Sequence, residues 1–141
     1  MTNRPLRILH VISTIDARAG GPATALVGLA TAQKRVGLDV SMLATATAGE
    51  SDDAAQALRA SSVNVDIVGP CTMPLCRHPQ IVPTLQRLMP QADVVHIHAL
   101  WEEVQFQAAK LARTLGKPYV ISAHGMLDPW SLAQSKWKKT R

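Results

Sequence analysis

Five short β-like runs that alternate with helical segments constrain this sequence more than any other feature. The runs are rich in Val, Ile and Leu and end at Ser, Thr, Gly or other turn residues. They cover residues 6–12, 38–44, 63–69, 92–99 and 117–123. Such alternation predicts βαβ units with a parallel sheet and helices on both of its faces. We therefore predict a three-layer α/β domain with the strand order 3-2-1-4-5.

The helical segments carry recognisable start and stop signals. The segment 23–36 is followed by Gly37, a residue suited to the end of a helix. The segment 101–116 has acidic residues in its first turn, basic residues later and a terminal glycine, so it is the strongest helix prediction. Within 79–90, Pro83 is expected to distort or delay the helix.

Length and composition narrow the class of protein. The 141 residues suit one domain, and 47% of them are hydrophobic, which is ordinary for a globular chain. No apolar run approaches the roughly 20 residues that span a bilayer, and the start lacks a signal-peptide cleavage site. We therefore expect a cytoplasmic protein, in which Cys71 and Cys76 are free thiols.

The net charge of +5 comes in large part from the chain ends. The terminal stretch KWKKTR carries four cations, and Arg4 and Arg7 lie near the start. No nucleic-acid motif accompanies them, so we expect no nucleic acid partner. From Pro129 onward, Trp130, Ala133 and Trp137 share one helical stripe beside lysines. The basic end is either a solvated helix or a peripheral contact with an anionic membrane at its inner face.

The chemically unusual residues lie where the predicted strands end. Gly20 and Gly21 follow strand one and precede a helix, while His98 and Trp101 follow strand four and His124 follows strand five. Ligands of open parallel sheets bind outside the carboxyl ends of the strands, so these residues are expected to border one open cleft. The glycines either make a tight turn or bring helix amides to a phosphate.

The histidines divide by their depth in the strands. His98 and His124 sit at strand ends and are predicted to face a ligand, whereas His96 and His10 lie within strands and are predicted to be structural. Trp101 either caps the following helix or forms the wall of a sugar site. The pair His96 and His98, with His124, offers too few ligands for a metal hydrolase, and no H-E-x-x-H or C-x-x-C occurs. We predict no metal site.

Three stretches carry a resemblance to a known family. They are RILHVISTIDARAGGPATALVGLATAQKRVGLDVSML, ADVVHIHALW and GKPYVISAHGMLDPWSLAQSKWKK. Together they resemble the N-terminal domain of family 4 glycosyltransferases, from about Arg7 to Lys139. These are retaining enzymes of the GT-B architecture, in which two Rossmann-like domains face each other across a cleft. The ordered set of GGP, H-x-H and S-x-H-G carries the resemblance.

The resemblance implies roles at the matching positions. Gly20 and Gly21 match the loop whose amides face the donor diphosphate, and His124 matches the catalytic-site histidine that contacts the donor sugar. His98 and Trp101 match the strand-four end, which lines the acceptor side of the cleft. A nucleotide-sugar donor is the implied co-substrate, with no cofactor and no divalent metal. A sugar or lipid-linked acceptor, in polysaccharide or glycolipid synthesis, is implied as well.

One departure from the family pattern limits these expectations. In the family, a C-terminal domain grips the donor with an E-x7-E pattern. The only glutamates here are Glu50, Glu102 and Glu103, and no two of them are eight residues apart. Residues 1–141 are therefore expected to form the acceptor-side domain alone, incomplete at the C-terminus and inactive in transfer. The alternatives are a stand-alone binding module that partners a separate chain, and a small His-metal hydrolase.

Overall fold

The sheet of this protein is parallel throughout. A computed structural model describes residues 3–133 of the 141-residue chain. Its five strands lie in the order β3-β2-β1-β4-β5, and every neighbouring pair is parallel, which confirms the predicted fold class and strand order. The strands are β1 Arg7–Ile12, β2 Asp39–Thr45, β3 Asn64–Val68, β4 Val94–His98 and β5 Tyr119–Ser122.

Helices follow each strand as the sequence pattern predicts. They are α1 Gly21–Arg35, α2 Asp53–Ala60, α3 Ile81–Leu88, α4 Glu103–Leu115 and α5 Pro129–Ala133. Short 3-10 turns cover Ala17–Ala19, Pro74–Cys76 and Met89–Gln91. Gly116 ends α4 in the left-handed region at φ 65°, as its place after the helix predicts.

Two prolines sit where a helix tolerates them. Pro22 lies in the first turn of α1, which begins two residues earlier than the sequence pattern predicts. Pro83 lies in the first turn of α3. Amides of the first turn have no partner within the helix, so proline costs no hydrogen bond there. Pro83 thus neither distorts nor delays α3, in contrast to the expectation from sequence.

Successive side chains of the central strands point to opposite faces of the sheet and pack into two separate hydrophobic cores. On one face, Leu9 and Val11 of β1 pack with residues of α3 and α4 such as Leu85 and Ala108. On the other face, Ile12 packs with residues of α1 and α2 such as Leu26. Because both faces of the central strands are covered, β1 reads as a continuous apolar run. After Arg7 at the start of the strand, the polar residue within that run is His10, and it is fully buried.

The amino-terminal cations Arg4 and Arg7 form ion pairs with Asp93, the residue before β4. The guanidinium of Arg4 donates to both carboxylate oxygens of Asp93 at 2.7 and 2.9 Å, and the Arg7 backbone N–H donates to the same carboxylate at 2.8 Å. The Arg4 hydrogen bonds, followed by that backbone amide, hold the pKa of Asp93 well below its usual range. Arg4 is therefore part of the fold at the edge opposite the strands' carboxyl ends.

The carboxyl-terminal stripe lies partly outside the described residues. Helix α5 is described as far as Ala133, with Trp130 exposed, whereas Trp137 and the lysines beside it fall in 134–141. Across residues 3–133, none of the helices has both the length and the apolar character needed to cross a bilayer.

Two leucines of α1 test the assignment of its buried face. Leu26 is 1% exposed inside the α1/α2 core, whereas Leu29, three residues on, is 38% exposed. Leu26→Ala should lower the free energy of unfolding by about 2–5 kcal/mol, because it leaves a cavity. Leu29→Ala in the same helix is the matched control and should cost less than about 1 kcal/mol. Urea unfolding measures both, and equal losses would contradict the described packing of α1.

Candidate functional site

Four histidines gather at the carboxyl ends of β1, β4 and β5. The parallel register places His10 of β1 directly beside His96 of β4. His98 lies two residues further along β4 on the same face, and its ring stacks on that of His96 with centroids 3.9 Å apart. His124 follows β5, with its ring centroid 5.5 Å from that of His98. The strand order therefore brings residues from three distant parts of the chain into one imidazole cluster.

Three of these rings form a continuous line of hydrogen bonds that starts on α1. The Oε1 atom of Gln33 lies 2.7 Å from Nε2 of His10, and His10 Nδ1 lies 2.9 Å from His98 Nε2. His98 Nδ1 then lies 3.2 Å from His124 Nε2. The fourth ring branches off, since Nε2 of His96 lies 2.7 Å from the Ser122 hydroxyl. The line runs from the buried side of α1 to the exposed side chain of His124.

Burial keeps the inner histidines neutral. Burial lowers the pKa of His10 to about 4, against an opposing hydrogen bond to Gln33. Burial, followed by the neighbouring histidines, lowers the pKa of His98 to about 3. The pKa of His96 is lowered too, first by burial and then by His124. At neutral pH each of these rings therefore has one N–H donor and one acceptor nitrogen.

The depths of two histidines differ from the sequence expectation. His96 was expected in the core and His98 at the open cleft, yet His98 is 2% exposed and His96 is only half-buried. His98 is covered because His10 and His124 lie against its two ring nitrogens. Its backbone carbonyl also accepts from the buried Gln105 amide at 3.2 Å. His98 is therefore joined to the exposed His124 rather than exposed itself.

The backbone at this end of the sheet adopts conformations that non-glycine residues rarely take. Ala99, Trp101 and His124 have φ of 65°, 79° and 50°. Such residues cluster at functional sites, where the surrounding structure holds them in place. Two contacts tie the loops together here: Ala99 N–H donates to Ser122 O at 2.9 Å, and Leu100 N–H lies 3.1 Å from the Met126 sulfur.

The two glycines after β1 form the exposed start of α1. Gly20 is the N-cap residue, with φ 106°, and Gly21 begins the helix. A Cβ atom on either glycine would meet nothing within 4 Å, so the space before this helix end is open. At Gly20 the backbone conformation itself favours glycine. Pro22 has no N–H, and the Gly20 and Thr24 amides bond to Ala17 O and Gly20 O. The first turn thus presents the amides of Gly21 and Ala23 and the positive end of the helix dipole to that space.

A cavity of about 720 Å³ opens beside these loops. Its walls come from the carboxyl ends of β1, β2 and β4 and from the loop after β3. Trp101 and Ala19, the neighbour of Gly20, both contribute to the wall. Gly20, Gly21, His98 and His124 themselves lie outside the lining. Its polar wall residues include Thr14, Asp16, Arg18, Glu50 and Glu102.

The carboxylic acids that line this cavity differ in their hydrogen bonds, and the pKa values of Asp16 and Glu102 are shifted in opposite directions. Arg18 donates to both carboxylate oxygens of Asp16, and the Ser51 backbone N–H adds a third contact. These hydrogen bonds hold the pKa of Asp16 well below its usual range, Arg18 being the first cause. Burial, followed by the nearby charge of Glu50, raises the pKa of Glu102. Glu50 accepts from the Thr14 hydroxyl and the Thr47 backbone N–H.

The two cysteines are free thiols, as the sequence predicts, and both line the same cavity. The Cys76 sulfur lies 3.4 Å from the Thr45 hydroxyl. Burial, followed by a hydrogen bond with Cys71, raises the pKa of Cys76 to about 12. A thiol with such a pKa is protonated at neutral pH, so Cys76 is a poor nucleophile.

The histidine cluster also has the composition of a metal site. Among residues 3–133, ring nitrogens of His10, His96 and His98 come within 4.8 Å of one another. Neutral imidazoles are good zinc ligands, but a bound ion would need lone pairs aimed at one point. Here His10 and His98 direct facing nitrogens at each other, and His96 directs Nε2 at Ser122. Ring hydrogen bonds thus account for the arrangement without an ion.

Sequence reasoning did not single out several residues of this site. Gln33 lies on the same helical stripe as Leu26 and Ala30, and a polar side chain on an inward stripe signals a buried partner. Asp16 and Arg18 were not noted, although acid and base two residues apart beside a glycine pair indicate a structured loop. Glu50 and Glu102 are far apart in sequence, so only the fold shows that they share a cavity.

Comparison with known protein families places this chain in one of them. The profile described as "Glycosyl transferase 4-like domain" matches residues 20–141. This chain belongs to that glycosyltransferase family. The match covers both glycines, the strand-four histidines, Trp101 and His124, and it agrees with an N-terminal domain of a GT-B glycosyltransferase. No curated protein matches the glycosyltransferase-like chain.

Solved structures confirm the fold alone. Two crystal structures of the C-terminal domain of a Pyrococcus furiosus hydrogenase resemble the glycosyltransferase-like chain. One has a TM-score of 0.58 at 14% identity and covers 86% of this chain and 96% of its own. The other has a TM-score of 0.59 at 15% identity and covers 85% and 93%. At such identities the likeness concerns the architecture of the sheet and says nothing of activity.

The buried histidines of this glycosyltransferase-family domain predict an acid-sensitive fold. His10 and His98 stay neutral in the folded chain, whereas the unfolded chain takes up their protons below a pKa of about 6.5. Stability is therefore complete above pH 6.5 and falls as the pH drops towards 4 and 3. Each histidine should cost about 2 kcal/mol by pH 5.

Urea unfolding between pH 7.5 and 5 measures this loss, and His98→Asn should remove about half of it. His78→Gln changes a histidine away from the cluster and serves as the control. An identical pH slope in His98→Asn and the parent chain would show that the buried ring does not titrate as described.

Proposed function

We propose that this chain is the acceptor-side N-terminal domain of a retaining glycosyltransferase. Such an enzyme moves a sugar from a nucleotide-sugar donor to a sugar or lipid-linked acceptor in polysaccharide or glycolipid synthesis. The family match over residues 20–141 is the single observation that carries this proposal. It is supported by the placement of Gly20, Trp101 and His124 at one edge of the sheet, where ligands of open α/β folds bind.

The donor diphosphate is proposed to lie before α1. The unpaired amides of the first turn and the helix dipole favour an anion there. Open space in front of Gly20 and Gly21 supports this placement. Stabilisation of the leaving diphosphate by helix amides requires no divalent metal. In this proposal the donor is a co-substrate, and the domain uses no cofactor.

His124 is proposed as the catalytic-site residue that contacts the donor sugar. Its side chain is exposed, and its φ of 50° shows that the loop after β5 is held in an unusual conformation. Its Nε2 is committed to His98. Its other ring nitrogen is therefore the one that a sugar hydroxyl would meet.

The acceptor is proposed to enter the cavity beside Trp101. Carboxylates such as Glu50 accept hydrogen bonds from sugar hydroxyls, and an indole face packs against the apolar side of a sugar ring. The cavity combines both kinds of wall. His98 contributes indirectly, because it is buried behind His124.

The donor-gripping half is proposed to be a separate domain, because the sequence has no E-x7-E pair. The 141-residue chain is therefore proposed to bind ligands weakly and to transfer no sugar alone. The proposed location is cytoplasmic, with a peripheral contact to anionic lipid through the lysines of residues 134–141. A stand-alone module that works with a separate chain is compatible with the same site.

A panel of UDP-, GDP- and ADP-sugars tests this proposal. Titrated into isotope-labelled chain, one of them should shift amide signals of Gly20, Gly21 and the His124 loop. His124→Ala should weaken that binding at least about tenfold, the value of one good polar contact. His78→Ala, outside the site, is the matched control.

The same samples are assayed for sugar transfer and hydrolysis, and no turnover is expected. Shifts confined to another face of the sheet, or no binding of any nucleotide sugar at millimolar concentration, would contradict the placement of the donor. Turnover by the chain alone would contradict the need for a second domain.

A further inference from the structure

A line of hydrogen bonds runs from the half-buried Gln33 through the buried His10 and His98 to the exposed His124. Gln33, His10, His98 and His124 are joined in that order by hydrogen bonds of 2.7, 2.9 and 3.2 Å. We propose that Gln33, His10 and His98 form a relay of positioning residues that fixes which ring nitrogen of His124 carries its proton. What His124 then contacts rests on the proposed glycosyltransferase function, whereas the relay itself does not.

The direction of the relay follows from its first member. The Oε1 atom of Gln33 can only accept, so His10 donates to it through Nε2–H. A neutral His10 then has a lone pair on Nδ1, which accepts from Nε2–H of His98. A neutral His98 in turn has its lone pair on Nδ1 and accepts from Nε2–H of His124. Each ring thus donates through Nε2–H and, where another ring follows, accepts at Nδ1.

The relay leaves His124 with one defined face towards the open site. Its Nε2 always holds a proton and points to His98, so a neutral His124 offers a lone pair on Nδ1. That nitrogen has no hydrogen-bond partner within residues 3–133. A lone pair there accepts from a hydroxyl group, such as that of a sugar. The tautomer with the proton on Nδ1 would set the lone pair of His124 Nε2 against the lone pair of His98 Nδ1 and break that contact.

Burial of His10 and His98 prevents a single ring of the relay from reversing its hydrogen bonds. His10 and His98 are 0% and 2% exposed, so water has little access to satisfy a ring nitrogen that loses its partner. Reversing one ring would set two donors or two lone pairs against each other inside the protein. The three rings therefore have to reverse together or not at all. Gln33, on α1 and remote from His124 in sequence, decides between the two directions by which end of its amide faces His10, and here that end is the accepting Oε1.

Tautomer spectroscopy of the free chain tests the relay without any substrate. In nitrogen-15 correlation spectra at pH 7.5, His10 and His98 should each show a protonated Nε2 and an unprotonated Nδ1, and the neutral form of His124 should show the same tautomer. Gln33→Met removes the accepting oxygen at roughly constant volume. In that variant the Nε2 and Nδ1 signals of all three rings should move towards each other, because both directions become populated. His78, elsewhere in the fold, is the internal reference.

Two variants of α1 separate the relay from general damage. Gln33→Glu keeps an accepting oxygen and should restore single tautomers, whereas Lys34→Met alters the adjacent residue and should leave all signals in place. Unchanged His98 and His124 signals in Gln33→Met would overturn the relay. So would a protonated Nδ1 on His10 in the parent chain, or a stoichiometric Zn²⁺ bound to these rings after addition of the metal alone. Nucleotide-sugar binding is scored separately, so either proposal can fail while the other stands.

Discussion

The parallel register between β1 and β4 is the constraint on which the rest of the site depends. It sets His10 beside His96, and the period of two along a strand then brings His98 to the same face. A slip of one residue would send His96 and His98 to the opposite face, into the core formed with α3 and α4. The apolar alternation of Leu9, Val11 and Ile97 prevents such a slip, because these residues fill that core.

The same register links the buried core to the open edge of the sheet. β4 lies between β1 and β5, so His98 can touch His10 on one side and His124 on the other. The helix that covers this face supplies Gln33 from within its own inward stripe. Packing of α1 therefore has a second effect besides stability, since it carries the residue that begins the hydrogen-bonded line.

Much of the fold follows from the sequence, because it rests on local patterns. Runs such as RILHVI and glycines such as Gly116 act within a few residues, and the strand order follows from general rules for βαβ units. The depth of a histidine is different, because it depends on what other elements place over it. His98 is covered by residues 88 positions before it and 26 after it, which no local pattern reveals. Gln33 lies between these two cases. A polar residue on an apolar helical stripe predicts a buried hydrogen-bond partner, but the sequence does not show that this partner is His10.

Neutron diffraction from a deuterium-exchanged crystal of the chain tests the central claim most directly. That claim is that the rings of His10, His98 and His124 are ordered by hydrogen bonds, in a direction set by Gln33. The account predicts deuterium on Nε2 of His10, His98 and His124, with none on Nδ1 of His10 or His98. Deuterium on Nδ1 of His10, or scattering density for an ion between His10, His96 and His98, would contradict it.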